Sequence, residues 1–240
     1  KFELNGVVFK YDDEDPKPSL IIPKLVIKPG EKIAILGRNG AGKSSLLQLM
    51  SGMQTATQGK VNLDDIDITL LDPADVRRDV GLLNQNAHLF FGTVRENLTL
   101  GAPLATDDDL LKALSVTGAL SFIQDKKEGL DHIIMEGGVG FSGGQRQALL
   151  LSRLLICQPN ILLLDEPTAS IDDVSEKQLI DHMKVWLAHR TLIVATHRRA
   201  VLELVDRIIV INEGRVVMDG PKEQILNNSA QQMPNSGARS

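Results

Sequence analysis

The stretch "KIAILGRNGAGKSS", residues 32–45, joins an apolar run to a glycine-rich loop and then to a helix-forming segment. Within it, residues 37–44 match the pattern G-x-x-x-x-G-K-[ST]. Glycines in such a loop let backbone N–H groups wrap a pyrophosphate, so that Lys43 can reach the β- and γ-phosphates and the Ser44 hydroxyl can coordinate Mg²⁺. Because a β-run precedes the loop and a helix follows it to about Met50, the stretch predicts a phosphate-binding loop rather than a structural glycine turn.

The C-terminal part of the chain alternates apolar runs with helical patterns. The runs are "NILLLDEP" (160–167), "TLIVATH" (191–197) and "DRIIVI" (206–211), and the helical patterns cover 173–188 and 198–205. Because this alternation is typical of strands joined by covering helices, it predicts an α/β domain with a mostly parallel sheet.

The remaining segments have a different character. Residues 2–35 and 60–68 predict short strands separated by turns, and 73–156 predicts mostly helix. The segment 227–240 is polar and aperiodic, which predicts a disordered tail.

Composition excludes several classes of protein. The chain has 240 residues, a formal net charge of −5 and one cysteine, Cys157, so an intrachain disulfide is impossible and binding to nucleic acid is not expected. Apolar runs such as "ILLL" (161–164) are far shorter than the roughly 20 residues that a membrane helix needs. Since the chain begins at Lys1 rather than at methionine, we expect a processed N-terminus or, as the favoured interpretation, a piece of a longer polypeptide.

Two carboxylates follow the apolar run "NILLL". Mg²⁺ keeps several waters and needs few protein carboxylates, so Asp165 fits a metal role and Glu166 is free to accept a proton from an attacking water. An Asp-Glu pair alone is more often a simple exit from a strand, but the phosphate loop makes that alternative unlikely. Gln85 and His197 also lie near predicted strand ends, where a glutamine can accept from a metal-bound water and an imidazole can donate to a phosphate oxygen. Taken singly, each of these two is more often an ordinary loop residue.

A second phosphate cradle is predicted at "VGFSGGQRQALL", residues 139–150. A helix that opens on Ser-Gly-Gly presents backbone N–H groups and the positive end of its dipole. The chain has a single phosphate-loop lysine, Lys43, and a single Asp-Glu pair after an apolar strand, Asp165–Glu166. This second cradle therefore cannot support a separate hydrolysis.

Together these motifs resemble, over about residues 1–226, the nucleotide-binding domain of an ABC transporter. "GRNGAGKSS" is similar to the Walker A loop, Gln85 to the Q-loop glutamine, "FSGGQ" (141–145) to the signature motif, "ILLLDEP" to Walker B, "SIDD" (170–173) to the D-loop and His197 to the switch histidine. Tyr11 in "FKY" stands where the family places an aromatic residue that stacks on adenine, although a lone tyrosine is usually just a strand residue. The signature begins with Phe141 where leucine is usual, and the D-loop reads Ser-Ile-Asp rather than Ser-Ala-Leu-Asp. Neither departure removes a group that would face phosphate, so we expect activity to survive.

The resemblance implies a P-loop NTPase core with a mostly parallel sheet, an antiparallel N-terminal β-subdomain and an inserted helical subdomain. The implied domains are the ATP-binding core at 1–85 and 158–226, the helical subdomain at 86–157, and the tail at 227–240. ATP and Mg²⁺ are the implied ligands, with Lys43, Gln85, Glu166 and His197 in catalysis and Ser44, Gln85 and Asp165 around the metal. The implied ATP contacts are Tyr11, Gly37, Arg38, Asn39, Gly40, Ala41, Gly42, Lys43, Ser44, Ser45, Ser142, Gly143, Gly144, Gln145 and Asp172.

The resemblance also implies an assembly. In an ATP-bound, head-to-tail homodimer, the second cradle of each chain would cap the γ-phosphate held by the other, as a C₂ pair allows. "HLFFGTVRENLTLG" (88–101) and "MEGGVGFSGGQ" (135–145) are similar to exporter sequences, and 194–221 is most similar to type I protein secretion exporters. This implies a membrane-spanning domain in the same full-length polypeptide and a place on the cytoplasmic face of a bacterial inner membrane.

Other functions stay open at this point. Within the family, the chain could serve a lipid, multidrug or peptide exporter. A soluble ABC ATPase of DNA repair or translation is disfavoured because the coiled-coil, zinc or tandem-domain insertions of such proteins are not found. A nucleotide sensor that does not hydrolyse ATP is disfavoured because every catalytic position is filled.

Overall fold

The computed structural model describes residues 1–12 and 14–231, which form a large twisted sheet with helices on both faces. The strands are β1 (Phe2–Phe9), β2 (Leu20–Ile27), β3 (Lys32–Leu36), β4 (Gln58–Leu63), β5 (Ile66–Asp67), β6 (Val80–Leu83), β7 (Gly92–Thr93), β8 (Ile133–Ile134), β9 (Ile161–Asp165), β10 (Thr191–Ala195), β11 (Arg207–Asn212) and β12 (Arg215–Pro221). The α-helices are α1 (Lys43–Met50), α2 (Pro73–Asp79), α3 (Val94–Thr99), α4 (Asp107–Thr117), α5 (Ala119–Gln124), α6 (Gly143–Ile156), α7 (Asp173–Trp186) and α8 (Lys222–Gln231). Short 3₁₀ helices lie at Ile68–Leu70, Gly129–Asp131, Glu136–Gly138 and Ala200–Leu204.

The large sheet has the strand order β5-β4-β1-β2-β12-β11-β3-β10-β9-β6. Strands β11, β3, β10, β9 and β6 pair in parallel, whereas β5, β4, β1 and β2 pair antiparallel. The predicted mostly parallel sheet is therefore confirmed. Because parallel strands run in one direction, the residues that follow β3, β9, β10 and β6 all emerge at the same edge of the sheet.

The central strands are apolar because both of their faces are covered. Side chains of β9 alternate between two hydrophobic clusters: Leu162 and Leu164 join one, and Ile161 and Leu163 join the other. Helix α1 contributes to the cluster on one face, and helices α6 and α7 contribute to the cluster on the opposite face. This two-sided burial explains why β9 and β10 appear in the sequence as continuous apolar runs.

Two segments differ from the sequence-based expectation. Strand β6 lies inside the segment predicted as mostly helical, since a four-residue strand shows too little periodicity to be recognised. The predicted tail is wrong at its start, because α8 continues to Gln231. Its residue Ile225 is buried, and α8 packs against β11 and β12, so packing sustains a helix that the polar sequence does not indicate. The rest of that predicted tail, 232–240, lies outside the described residues.

Along the part of the chain that the structure describes, none of the helices combines the length and the apolar character needed to cross a bilayer.

Candidate nucleotide-binding site

The loop between β3 and α1 is a tight backbone cradle. Gly40 and Gly42 have φ angles of 76° and 105°, in the left-handed region that favours glycine. A Cβ at Gly37 would lie 2.3 Å from the carbonyl oxygen of Ile211, so the start of the loop also requires glycine. Helix α1 begins directly after Gly42, and no side chain caps it. Its first N–H groups are therefore available to an anion.

Lys43 lies inside this loop rather than in solvent. Its Nζ donates hydrogen bonds to the carbonyl oxygens of Gly37, at 2.9 Å, and Arg38, at 3.2 Å. The side chain is buried, whereas Arg38, Asn39 and Gly40 at the tip of the loop are exposed. A positive charge thus lies beside free N–H groups, which is the donor set that a polyphosphate requires.

Asp165 and Ser44 are brought together from different elements. Asp165 ends β9 and is buried, and its carboxyl lies near the Ser44 hydroxyl at the start of α1. Burial raises the pKa of Asp165 above its ordinary value and the charge of Glu166 adds to the rise, while the Ser44 hydroxyl and Lys43 oppose it. A hydroxyl and a carboxylate at a phosphate loop fit Mg²⁺, which prefers few protein ligands plus waters and phosphate oxygens. In residues 1–12 and 14–231 no group of three or more His, Cys, Asp or Glu side chains could form an all-protein metal site.

Glu166 and His197 form a hydrogen-bonded pair. Glu166 has a φ of 50°, an unusual backbone conformation for this residue type, and its N–H donates to the carbonyl oxygen of Ala195 at 2.9 Å. Its Oε1 lies 2.9 Å from Nδ1 of His197, whose side chain is 70% exposed. Its Oε2 is buried and has no hydrogen-bond partner among the described residues. A buried carboxylate oxygen without a donor is well suited to accept a hydrogen bond from an incoming group.

Gln85 and Tyr11 lie at the border of this region. Gln85 is exposed in the turn after β6, and because β6 pairs with β9, it follows the same sheet edge as Asp165. The Tyr11 hydroxyl lies 2.9 Å from Oγ of Ser45 in the first turn of α1. Its ring is 58% exposed and packs edge-on against Phe9. The roles of both residues stay predictions.

The second cradle begins α6 and lies in a different part of the molecule. Ser142 caps α6 through a capping box with Gln145, and the glycines Gly143 and Gly144 occupy the first turn. A Cβ at either glycine would lie 3.0 Å from an atom of Ser170, so the 170–173 loop packs directly on this helix start. Helix α1 packs on β9 and β10, whereas α6 packs on α3, α4, α5 and β6.

Asp172 has a structural function that the sequence-based assignment did not include. Its carboxylate accepts hydrogen bonds from the N–H groups of Val174 and Ser175 and so caps α7. These hydrogen bonds lower the pKa of Asp172. Its predicted contact with nucleotide stays a prediction.

Sequence reasoning missed a buried ion pair beside the site. Nε and Nη2 of Arg198 donate to the two carboxylate oxygens of Glu176, at 2.9 and 2.8 Å. One signal was available: Glu176 shares the helical spacing of the buried residues Leu179, Ile180 and Met183, so a charge lies on the apolar face of α7.

The fold and the site define an α/β nucleotide-binding domain with a phosphate loop at the carboxyl edge of a parallel sheet. A family model described as "ABC transporter" matches residues 23–169, and the chain belongs to this family.

Similar proteins extend this result. The chain is 38% identical to the cyclolysin secretion/processing ATP-binding protein CyaB of Bordetella pertussis, over 93% of this chain and 31% of that protein. It is 37% identical to the leukotoxin translocation ATP-binding protein LktB of a Pasteurella haemolytica-like species, over 94% of this chain and 32% of that protein. A solved structure of a bacterial Atm1-family ABC exporter with ATP bound matches with a TM-score of 0.89 and 28% identity, covering 99% of this chain and 42% of that chain. The chain spans about a third of the length of the two curated relatives.

Proposed function

We propose that this chain binds ATP with Mg²⁺ and hydrolyses it, and that it does so as the motor domain of an exporter. The observation that carries the proposal is the buried, unpartnered Oε2 of Glu166, held by His197 at the same sheet edge as Lys43 and Asp165. A carboxylate in this place fits a general base for an attacking water.

The phosphate loop supplies binding and orientation. The N–H groups at the start of α1 and the Lys43 ammonium would hold the β- and γ-phosphates, and Lys43 would exchange its carbonyl partners in the loop for phosphate oxygens. Ser45 and the loop residues Gly37–Gly42 would contribute further contacts. The exposed face of the Tyr11 ring would stack on adenine.

The residues that would hold Mg²⁺ are Ser44, Gln85 and, through water, Asp165. When bound, the metal neutralises negative charge on the β- and γ-phosphates. The raised pKa of Asp165 fits such a role, because a divalent cation favours the ionised form of a buried carboxyl. Glu166 would take the proton of the attacking water, and His197 would fix the carboxylate and donate toward the γ-phosphate.

We further propose that hydrolysis needs a head-to-tail homodimer. Ser142, Gly143, Gly144 and Gln145 begin a helix that belongs to a different packing unit from α1, which supports a contact with the nucleotide of a second chain. Asp172 and the 170–173 loop pack beside this helix start and would reach the same interface. We keep 86–157 as a helical subdomain between the two parts of the ATP-binding core, 1–85 and 158–226.

The proposed membrane partner is a spanning domain of the same full-length polypeptide. The side chains of Phe91, Ile133, Met135 and Val139 are more than half exposed. The register of β7 and β8 pairs Gly92 with Ile134, which places Phe91 opposite Met135. This apolar patch fits an intracellular segment of a membrane domain, and the secretion relatives favour type I protein export at a bacterial inner membrane over lipid, multidrug or peptide export.

The test is phosphate release by the purified chain, with sedimentation in the presence of ATP and Mg²⁺. We expect Mg²⁺-dependent hydrolysis whose rate per chain rises with protein concentration, because the active form is a dimer. Normal ATP binding without phosphate release would instead support a nucleotide sensor. Export itself is tested in the full-length protein, where Phe91→Ser should reduce substrate-stimulated hydrolysis, while the same substitution in the isolated chain should leave hydrolysis unchanged.

A further inference from the structure

The ion pair between Arg198 and Glu176 joins elements that the proposed reaction must coordinate. Glu176 is on α7 with 4% of its side chain exposed, and Arg198 is in the loop after β10 with 24% exposed. Both carboxylate oxygens are bonded by the same guanidinium, at 2.9 and 2.8 Å. Burial acts to raise the pKa of Glu176, but the hydrogen bonds and charge of Arg198 help to hold it below its ordinary value. The guanidinium thus holds the Glu176 carboxylate at both of its oxygens.

The same guanidinium also bonds to the D-loop. Nη2 of Arg198 donates to the carbonyl oxygen of Ile171 at 3.0 Å and lies 3.3 Å from Oδ1 of Asp173. The backbone N–H of Arg198 donates to Oγ1 of Thr196 at 3.0 Å, which fixes the turn that carries His197. One side chain therefore connects α7, the D-loop and the loop after β10.

Contacts continue from both ends of this connection. On one side, His197 is the direct neighbour of Arg198 and holds Glu166 through Nδ1. On the other side, Ser170 is the direct neighbour of Ile171 and packs on Gly143 and Gly144 at the start of α6. The line of contacts runs from the proposed general base to the cradle that would receive the partner's nucleotide.

We propose that Arg198 is a positioning residue that couples the Glu166–His197 pair to the D-loop and thereby to the N-terminus of α6, with Glu176 as its buried anchor. This inference rests on the proposed ATP hydrolysis. When two chains close on ATP, the D-loop takes a fixed position against the start of α6. Through its hydrogen bond to Ile171, Arg198 then fixes the loop that carries His197 relative to the D-loop. Engagement of the second cradle is thereby communicated to the position of His197 and, through it, of Glu166.

Stability alone does not account for this pair. Replacing a buried ion pair by apolar residues of similar size is often neutral or stabilising, whereas removal of one partner leaves a buried charge. The double variant Glu176→Leu/Arg198→Met extends the apolar face of α7 and leaves no charge unpaired, but it loses the hydrogen bond to Ile171. It therefore separates a structural role from a positioning role.

The experiment compares the wild-type chain, this double variant and Arg198→Lys by phosphate release and ATP titration. We expect the double variant to keep the wild-type thermal midpoint within a few degrees and its KM for ATP within about threefold, while kcat falls by roughly 10–100-fold, as for a misplaced catalytic group. Lysine can pair with Glu176 but lacks the planar fork that also reaches Ile171, so Arg198→Lys should lose kcat with KM unchanged. In a Glu166→Gln background, the double variant should still form ATP-dependent dimers.

Two matched controls accompany these variants. Arg199→Met removes an exposed arginine next in sequence, and Glu203→Leu/Lys184→Met removes an exposed ion pair of α7 and the following 3₁₀ helix. Both should retain wild-type kcat. A wild-type kcat in the double variant or in Arg198→Lys would overturn the positioning role while leaving ATP hydrolysis intact. Should the double variant not fold, kcat of Arg198→Lys decides alone. No hydrolysis by the wild-type chain would overturn the proposed function and this inference with it.

Discussion

Glu166→Gln is the substitution that tests the proposed chemistry most directly. Glutamine has the shape of glutamate, and its carbonyl oxygen can accept from Nδ1 of His197 as Oε1 does at 2.9 Å. The amide cannot accept a proton from water at the buried position of Oε2. Because a positioned general base contributes about 10²–10⁴-fold, kcat should fall by that factor, which is about 3–5 kcal/mol in the activation barrier.

The effect on folding should be much smaller. The amide NH₂ replaces an oxygen that already has no hydrogen-bond partner among the described residues, and an unsatisfied buried donor costs about 1–3 kcal/mol. Loss of the negative charge should stabilise the fold, because the charge of Glu166 repels that of Asp165 and helps to raise the pKa of Asp165. The two effects offset each other, so the variant should fold and bind ATP.

The assay is single-turnover phosphate release with excess enzyme, accompanied by ATP binding and sedimentation. The expected result is normal ATP binding, a stable ATP-dependent dimer and a slow chemical step. Glu203→Gln, at an exposed ion pair with Lys184, is the matched control and should hydrolyse ATP normally. A single-turnover rate near that of the wild type would refute Glu166 as the base, and a missing dimer would count against ATP-driven closure.

Three further substitutions test other parts of the site. The folded-state pKa of Asp165 is raised, so burying its carboxylate destabilises the protein at neutral pH, and this penalty disappears as falling pH protonates the group. Asp165→Asn should therefore raise the thermal midpoint at pH 7 but not at pH 3. The same substitution should weaken Mg²⁺ stimulation of hydrolysis by about 10–100-fold. Gly37→Ala should lower the free energy of unfolding by about 1–3 kcal/mol and weaken ATP binding, because the new Cβ would lie 2.3 Å from the Ile211 carbonyl oxygen. The control is Gly30→Ala, where a Cβ would have nothing within 4 Å. Once urea titration has confirmed that this variant folds, its ATP affinity should equal that of the wild type. Phe141→Leu should lower the free energy of unfolding by about 1 kcal/mol, because it removes edge-on contacts of a buried ring. Its kcat should stay within about twofold of the wild type. A tenfold loss of kcat would contradict our expectation that phenylalanine in place of leucine does not affect activity.

The parts of the fold that sequence predicts well are those in which local pattern and burial agree. Strands β3, β9 and β10 are mostly apolar because both faces are covered, and a polar residue or glycine marks the carboxyl edge of each: Gly37 after β3, Asp165 at the end of β9 and Thr196 after β10. Strand β6 was not predicted because four residues are too few to distinguish a strand pattern from one turn of a helix. Helix α8 packs against β11 and β12, and no local sequence pattern contains these contacts.

The candidate site divides in the same way. Lys43, Ser44, Asp165 and Glu166 come from contiguous motifs, so their proximity follows once the two strands are placed in one parallel sheet. The pairing of Arg198 with Glu176 could not be predicted, because it depends on how α7 packs against the loop after β10. The charge on the apolar face of α7 indicates that Glu176 needs a partner, but its position does not identify which cation supplies it.

The N-termini of α1 and α6 differ in the number of backbone N–H donors that they offer to a ligand. This difference is relevant to the proposed dimer. Helix α1 has no side-chain cap, so its first-turn N–H groups can all face a ligand, and Lys43 adds a positive charge. Helix α6 is capped by its own Ser142 and Gln145, which satisfy each other's backbone N–H groups and leave the donors of Gly143 and Gly144. Two donors without a lysine suit one phosphate group, whereas α1 suits a chain of phosphates. This difference supports our proposal that the second start completes a site held by another copy of the chain, since α6 packs on other elements than α1 does.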